Sequence, residues 1–248
     1  MQNTTHPHTT TQRGAALTAG VSLLLMAAIA GLGYGWIHGM LVVPDDAAAT
    51  AANLRSASGW FRAEIFGWLL ILICDAAAAW ALYVFFKPVH RGGSLLGAWL
   101  RLTYTALLGT AIAALVAALL LAGQAGPLPG AAGSNAALVK LALDAFDLIW
   151  SIGLVVFGLH LLTLGLLALR AASMPRWIGF LLLLASFGYI VVHSLRILLP
   201  EGTEALGLLE AILAVPMAAG ELGLALWLLA RGGKEQAPRT VTRPEAVS

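Results

Sequence analysis

Three ionisable side chains stand inside apolar stretches, where a charge is expensive. They are Asp75 in WLLILICDAAAAWALYVFF, His160 in LVVFGLHLLTLG and Glu221 in MAAGELGLALW. An ionised group in hydrocarbon costs roughly 2.5–3.5 kcal/mol even on insertion scales, so such residues persist where they pair, line a wet cavity or carry function. Two carboxylates and an imidazole can share a proton, act as general acid and base, or bind a divalent cation, since His with Asp or Glu suits several metals. They can also relay protons through a carrier. The structural alternative is a pair of protonated carboxyls bonded between helices, which holds a bundle weakly at about 0.6 kcal/mol per bond. Arg101 is a fourth member of the set. It sits near the inner edge of its span, and its long stem predicts snorkelling toward lipid headgroups in preference to a buried partner.

Other patterns narrow the chemistry. The chain has no H-E-x-x-H zinc spacing, no G-x-S-x-G elbow and no P-loop. No catalytic residue, metal ligand set or cofactor is identified, and the balance is against an enzyme. Lys and Arg exceed Asp and Glu by only two charges and gather at segment ends, so a nucleic-acid face is not expected. The single cysteine, Cys74, excludes an intrachain disulfide.

The elements that must position these groups are membrane helices. The chain is 60% hydrophobic and 10% charged, against about 25% charged residues in soluble domains. Such a chain cannot cover a water-facing surface, so lipid is most of its solvent. A helix crossing a ~30 Å hydrocarbon core needs about 20 mainly apolar residues. Six stretches qualify: residues 14–43, 65–86, 102–123, 148–169, 177–199 and 206–230. The fold predicted is an all-α polytopic bundle of six transmembrane helices over residues 14–230. Polar tails, 1–13 and 231–248, are expected to be disordered. The first apolar run is too long for a signal peptide.

Between the first two spans, PDDAAATAANLRSAS reads as a short helix outside the membrane, with Asp45 or Asp46 at its start. KPVHRGG and RAASMPRW are basic turns, and Pro175 prevents a continuous helix in the second. GQAGPLPGAAGSN is an uncharged loop. Lys140, Asp144 and Asp147 precede a full span and belong to its outer boundary, with Lys140 and Asp144 spaced to pair along one face. Gly31 and Gly35 in GLGYG match a close-approach pattern. The turns carrying Lys87, Arg91, Arg170 and Arg176 lie on the face of both termini, which the positive-inside rule makes cytoplasmic. The two halves of the chain share no repeat.

With this topology the spans bearing Asp75, His160 and Glu221 run in the same direction, and the three groups share a depth near the midplane. Glu64 lies about three turns before Asp75, and Glu210 about three turns before Glu221. Each helix thus presents a polar stripe from the outer edge inward, as a water-accessible cavity open to the outside requires. Asp46, Arg62, Glu64, His193 and Arg196 are the expected outer rim. The tryptophans read as interfacial anchors (Trp36, Trp60, Trp177) or packing and lipid contacts (Trp68, Trp80, Trp99, Trp150, Trp227), not a ligand cage.

PDDAAATAANL, Phe61-Arg62, CDAAAAWALYVFFKPV, Arg101-Leu102, FGLHLLTLG and MPRWIGFLLLLASFGY together carry a resemblance. The sequence resembles the bacterial membrane-protein family called domain of unknown function 4386, over about residues 13–232. The resemblance implies a compact multi-helix membrane protein and no particular activity. It singles out Asp46, Arg62, Asp75, Arg101 and His160, while Glu221 falls in a looser region. The leading functional expectation is a bacterial inner-membrane protein that binds or senses a small apolar or amphiphilic ligand between its helices. The rivals are a proton-coupled carrier using Asp75 and Glu221, and a lipid-acting or metal-dependent enzyme using His160 and Asp75. Membrane lipids are its expected partners, and no oligomeric state is indicated.

Overall fold

The computed structural model describes residues 7–124, 135–200 and 203–234. The expected tails at 1–6 and 235–248, and most of the Gly/Pro loop, lie outside the described residues. Six helices are long and apolar enough to cross a membrane, and no strand occurs among the described residues. The first span is α1 (Pro7–Ala30), a π-helical stretch (Gly31–His38) and a final turn, α2 (Gly39–Leu41). The other spans are α4 (Ser58–Phe86), α5 (Arg91–Ala122), α6 (Asn135–Arg170), α7 (Arg176–Leu198) and α8 (Glu204–Ala230). Large apolar side chains such as Trp99, Leu120 and Val215 are exposed on the outside. In water so much exposed apolar surface would drive association; here it is the lipid face.

The first helix begins at Pro7, within the polar segment 1–13 expected to be a disordered tail. Two polar side chains of that segment, Gln12 and Arg13, make contacts. Gln12 donates to the Val84 carbonyl at 3.0 Å. Arg13 donates to the carbonyls of Leu228, Leu229 and Gly232 at 3.1, 2.6 and 2.8 Å. Those carbonyls lie at and just beyond the end of α8, where helical partners run out and the helix dipole favours a cation.

The predicted external helix is α3 (Ala47–Ser56). Asp46 caps it, its carboxylate accepting from the Ala49 N–H at 2.8 Å. The preceding Asp45 takes a left-handed conformation, φ 61°, to make the turn. α3 packs on α4, α5 and α6, and Arg55 donates to the Ala122 carbonyl at 2.9 Å, covering the end of α5. Loss of an N-cap typically costs about 1 kcal/mol. Asp46→Ala is therefore expected to lower the unfolding free energy by that amount, measured in mild detergent, with the span helices unchanged by circular dichroism.

The spans form a closed ring. α1 packs on α4, each later span packs on the next, and α8 returns to α1. The connections at 87–90 and 171–175 are short, so α4 with α5 and α6 with α7 are antiparallel hairpins. α6 has 36 residues, a length of about 54 Å at 1.5 Å per residue, well beyond a bilayer core. Its first turns carry the Lys140–Asp144 pair at 2.9 Å.

Close helix approach occurs elsewhere than predicted. Nothing lies within 4 Å of a Cβ built on Gly31 or Gly35. Tight interfaces lie between α7 and α8, where a Cβ on Gly220 would meet the Leu181 carbonyl at 2.9 Å, between α1 and α8, where one on Gly20 would meet the Ala225 carbonyl at 3.0 Å, and between α6 and α7. There a Cβ on Gly165 would meet the Gly179 carbonyl at 3.1 Å, and one on Gly158 would meet the Ser186 carbonyl at 3.2 Å. Ser186 also donates its hydroxyl proton to the Gly158 carbonyl at 2.8 Å. Small residues one heptad apart on each helix thus let two backbones touch.

Candidate functional site

Asp75 and Arg101 form a buried ion pair between α4 and α5, Oδ1 to Nη2 at 2.6 Å, with both side chains 2% exposed. The snorkelling expected of Arg101 does not occur. Its guanidinium turns into the bundle because a carboxylate, an imidazole and a ring await it there. Nη1 lies 3.2 Å from His160 Nε2, and the guanidinium carbon sits 5.3 Å from the centre of the Phe157 ring. His160 Nδ1 lies 2.8 Å from the Gly97 carbonyl. A carbonyl only accepts, so the proton is on Nδ1 and Nε2 accepts from Arg101. His160 is then a neutral, fully buried strut that holds Arg101 against Asp75.

This pair forms part of the wall of a cavity of about 480 Å³ at the centre of the ring. Every span contributes: Met26 from α1, Trp68 and Asp75 from α4, Arg101 and Tyr104 from α5, Trp150 and Phe157 from α6, Tyr189 from α7 and Glu221 from α8. The Tyr189 hydroxyl donates to Glu221 at 2.5 Å. Asp75, Arg101 and Glu221 thus share one cavity, while His160 supports it through Arg101. Among the described residues, no group of three or more His, Cys, Asp or Glu is placed to hold a metal ion.

The cavity does not open along the predicted polar stripe. Trp68, one turn from Glu64, blocks it and donates to Glu64 at 3.4 Å. Trp68 and Trp150 meet edge to face at 4.9 Å between ring centres, and Tyr34 meets Trp150 at 5.0 Å. Beyond this aromatic layer, Glu64 is buried against His38 at 2.8 Å. The cavity opens sideways instead. Ala27 of α1 and Ala214, Ala218 and Leu222 of α8 line it and are exposed.

The five expected rim residues are not brought together. Asp46 caps α3, Arg62 is exposed on α4, and Glu64 lies in the sealed pocket with His38. His193 is buried, 3.4 Å from the Ser151 hydroxyl. Arg196 pairs with Glu210 at 2.6 Å. Both line a second cavity of about 560 Å³ with Asp144 and Asp147. Asp147 is also engaged, accepting from the Tyr34 hydroxyl at 3.1 Å.

Sequence reasoning missed Tyr189, Tyr34 and His38, and it read Trp68 and Trp150 as packing or lipid contacts. A signal existed for Tyr189: it precedes His193 by one turn, and the rings stack at 5.9 Å. None existed for Tyr34 and His38. They lie in the π-helical stretch, where the 3.6-residue period used to assign faces does not hold.

Comparison with known proteins gives a family and a relative but no activity. A protein from Archaeoglobus fulgidus described as uncharacterized is 34% identical over 134 residues, covering 54% of this chain and 67% of the relative. No solved structure matches. The family described as domain of unknown function (DUF4386) matches residues 18–232. With six spans in a ring and most of its length matched, the chain belongs to that family of unknown function.

Proposed function

We propose that this protein binds a small apolar or amphiphilic molecule that enters the central cavity sideways from the lipid, between α1 and α8. The observation that carries the reading is the cavity itself. It is walled by all six spans, has a few polar groups, and has its exposed lining residues on α1 and α8. A mostly apolar pocket with a few placed polar groups is the usual form of a small-molecule site. The size suits a ligand of modest length, since ligand pockets run from about 300 to 1,000 Å³. Nothing in the geometry favours chemistry on the ligand: His160 has both ring nitrogens engaged by Arg101 and Gly97. The membrane we assign is the bacterial cytoplasmic membrane, with both termini inside, on the strength of the basic turns.

The test uses six-carbon amphiphiles titrated calorimetrically into the protein in lipid nanodiscs, with empty nanodiscs subtracted. At least one head group is expected to bind at one per protein. Ala218→Trp, which fills the lateral mouth, is expected to remove that binding without altering helix content. Saturable binding by no six-carbon amphiphile, or equal binding by the Ala218→Trp protein, would overturn the reading.

A further inference from the structure

We infer that the ligand of the central cavity carries an organic ammonium head, held by Asp75 and Glu221 among aromatic walls; this rests on the binding role proposed above. Three side chains that can carry charge line the cavity, two negative and one positive. The positive one is already spent. Arg101 gives one terminal nitrogen to Asp75 and the other to His160.

The carboxylates are not spent. Asp75 is 1% exposed, lines the cavity, and its Oδ2 has no hydrogen-bond donor among the described residues. Glu221 receives one hydrogen bond, from Tyr189, and no Lys or Arg among the described residues lies within ion-pair distance of it. A carboxylate in an apolar wall is stable only when paired and hydrogen-bonded. The cavity is therefore short of positive charge, which a cationic ligand would supply.

The walls fit the same class. Trp68, Tyr104, Trp150 and Tyr189 line the cavity beside the two acids. Aromatic faces attract cations, most strongly where water is excluded, and cages of such rings recognise quaternary ammonium groups. The apolar remainder and the lipid-facing mouth suit an alkyl chain on the same molecule.

The probes are hexyltrimethylammonium, 1-hexanol and hexanoate, titrated as above. Hexyltrimethylammonium is expected to bind at least about tenfold more tightly than 1-hexanol, the scale of a desolvated cation–aromatic contact, with hexanoate weakest. Glu221→Gln keeps a partner for Tyr189 and removes the charge. It is expected to reduce the preference for hexyltrimethylammonium over 1-hexanol severalfold, in protein of unaltered elution volume and helix content. Equal binding of alcohol and ammonium, blocked by Ala218→Trp, overturns the cationic head but keeps the cavity reading. A preference undiminished in Glu221→Gln overturns the assignment to that residue. Saturable binding by none of the three overturns both.

Discussion

Arg101→Met lowers the unfolding free energy by about 3–5 kcal/mol, the largest single effect expected in this protein. Breaking one side of a buried ion pair is that damaging because the other charge stays behind without a partner. Here the stranded group is Asp75, 2% exposed at the side chain. His160 Nε2 also loses its donor, which adds a buried acceptor with nothing to accept. Removing both charges together is expected to restore stability. Replacing both partners of such a pair by apolar residues of similar size is often neutral. Asp75→Leu with Arg101→Met is therefore expected to regain at least about 2 kcal/mol over Arg101→Met alone. The measurement is denaturant unfolding in mild detergent followed by circular dichroism. Equal instability of the single and double variants would show that the stranded charge is not the cause.

Gly158→Leu is the second large effect, about 2–3 kcal/mol. Overpacking costs typically 1–3 kcal/mol, and this site has little room to yield. A Cβ at 158 meets Ile190 Cγ1 at 2.6 Å, which a rotamer change relieves, but also the Ile190 backbone nitrogen and the Ser186 carbonyl, both at 3.2 Å. Backbone cannot rotate away. α7 must move outward, and the Ser186–Gly158 hydrogen bond at 2.8 Å goes with it, adding about 0.6 kcal/mol. Gly35→Ala is the control, because nothing lies within 4 Å of its Cβ. It should change stability by less than about 0.5 kcal/mol. Equal loss from both substitutions would mean that helix contact is not the reason.

The parts of this structure legible in the sequence are those set by lipid and by local rules. Hydrocarbon demands long apolar helices, so the spans could be counted and placed. PDDAAATAANL announced α3 because a carboxylate before an alanine run satisfies the first free N–H groups, as Asp46 does. Equal depth along parallel spans brought Asp75 and Glu221 into one proposal, and both line the central cavity. Arg101 was misread because snorkelling and burial differ only in who waits on the other side, and His160 and Phe157 lie far along the chain. Glu64 was misread for a related reason. Helical phase gives the direction in which a side chain leaves its helix, not what stands in its path, and Trp68 stands there. Gly31 and Gly35 had the spacing of a close contact but no neighbour to close upon.

The ion pair between α4 and α5 also bears on how the chain enters the membrane during synthesis. An unpaired Asp or Arg near the middle of a helix opposes insertion by roughly 2.5–3.5 kcal/mol. Asp75 and Arg101 sit on consecutive spans joined by a four-residue connection, 87–90. The two helices can therefore enter as one hairpin, each neutralising the other before α6, α7 and α8 have been made. α6 then arrives at a pair already formed and secures it through His160. A nascent chain halted after α4 leaves Asp75 facing lipid alone; one halted after α5 does not.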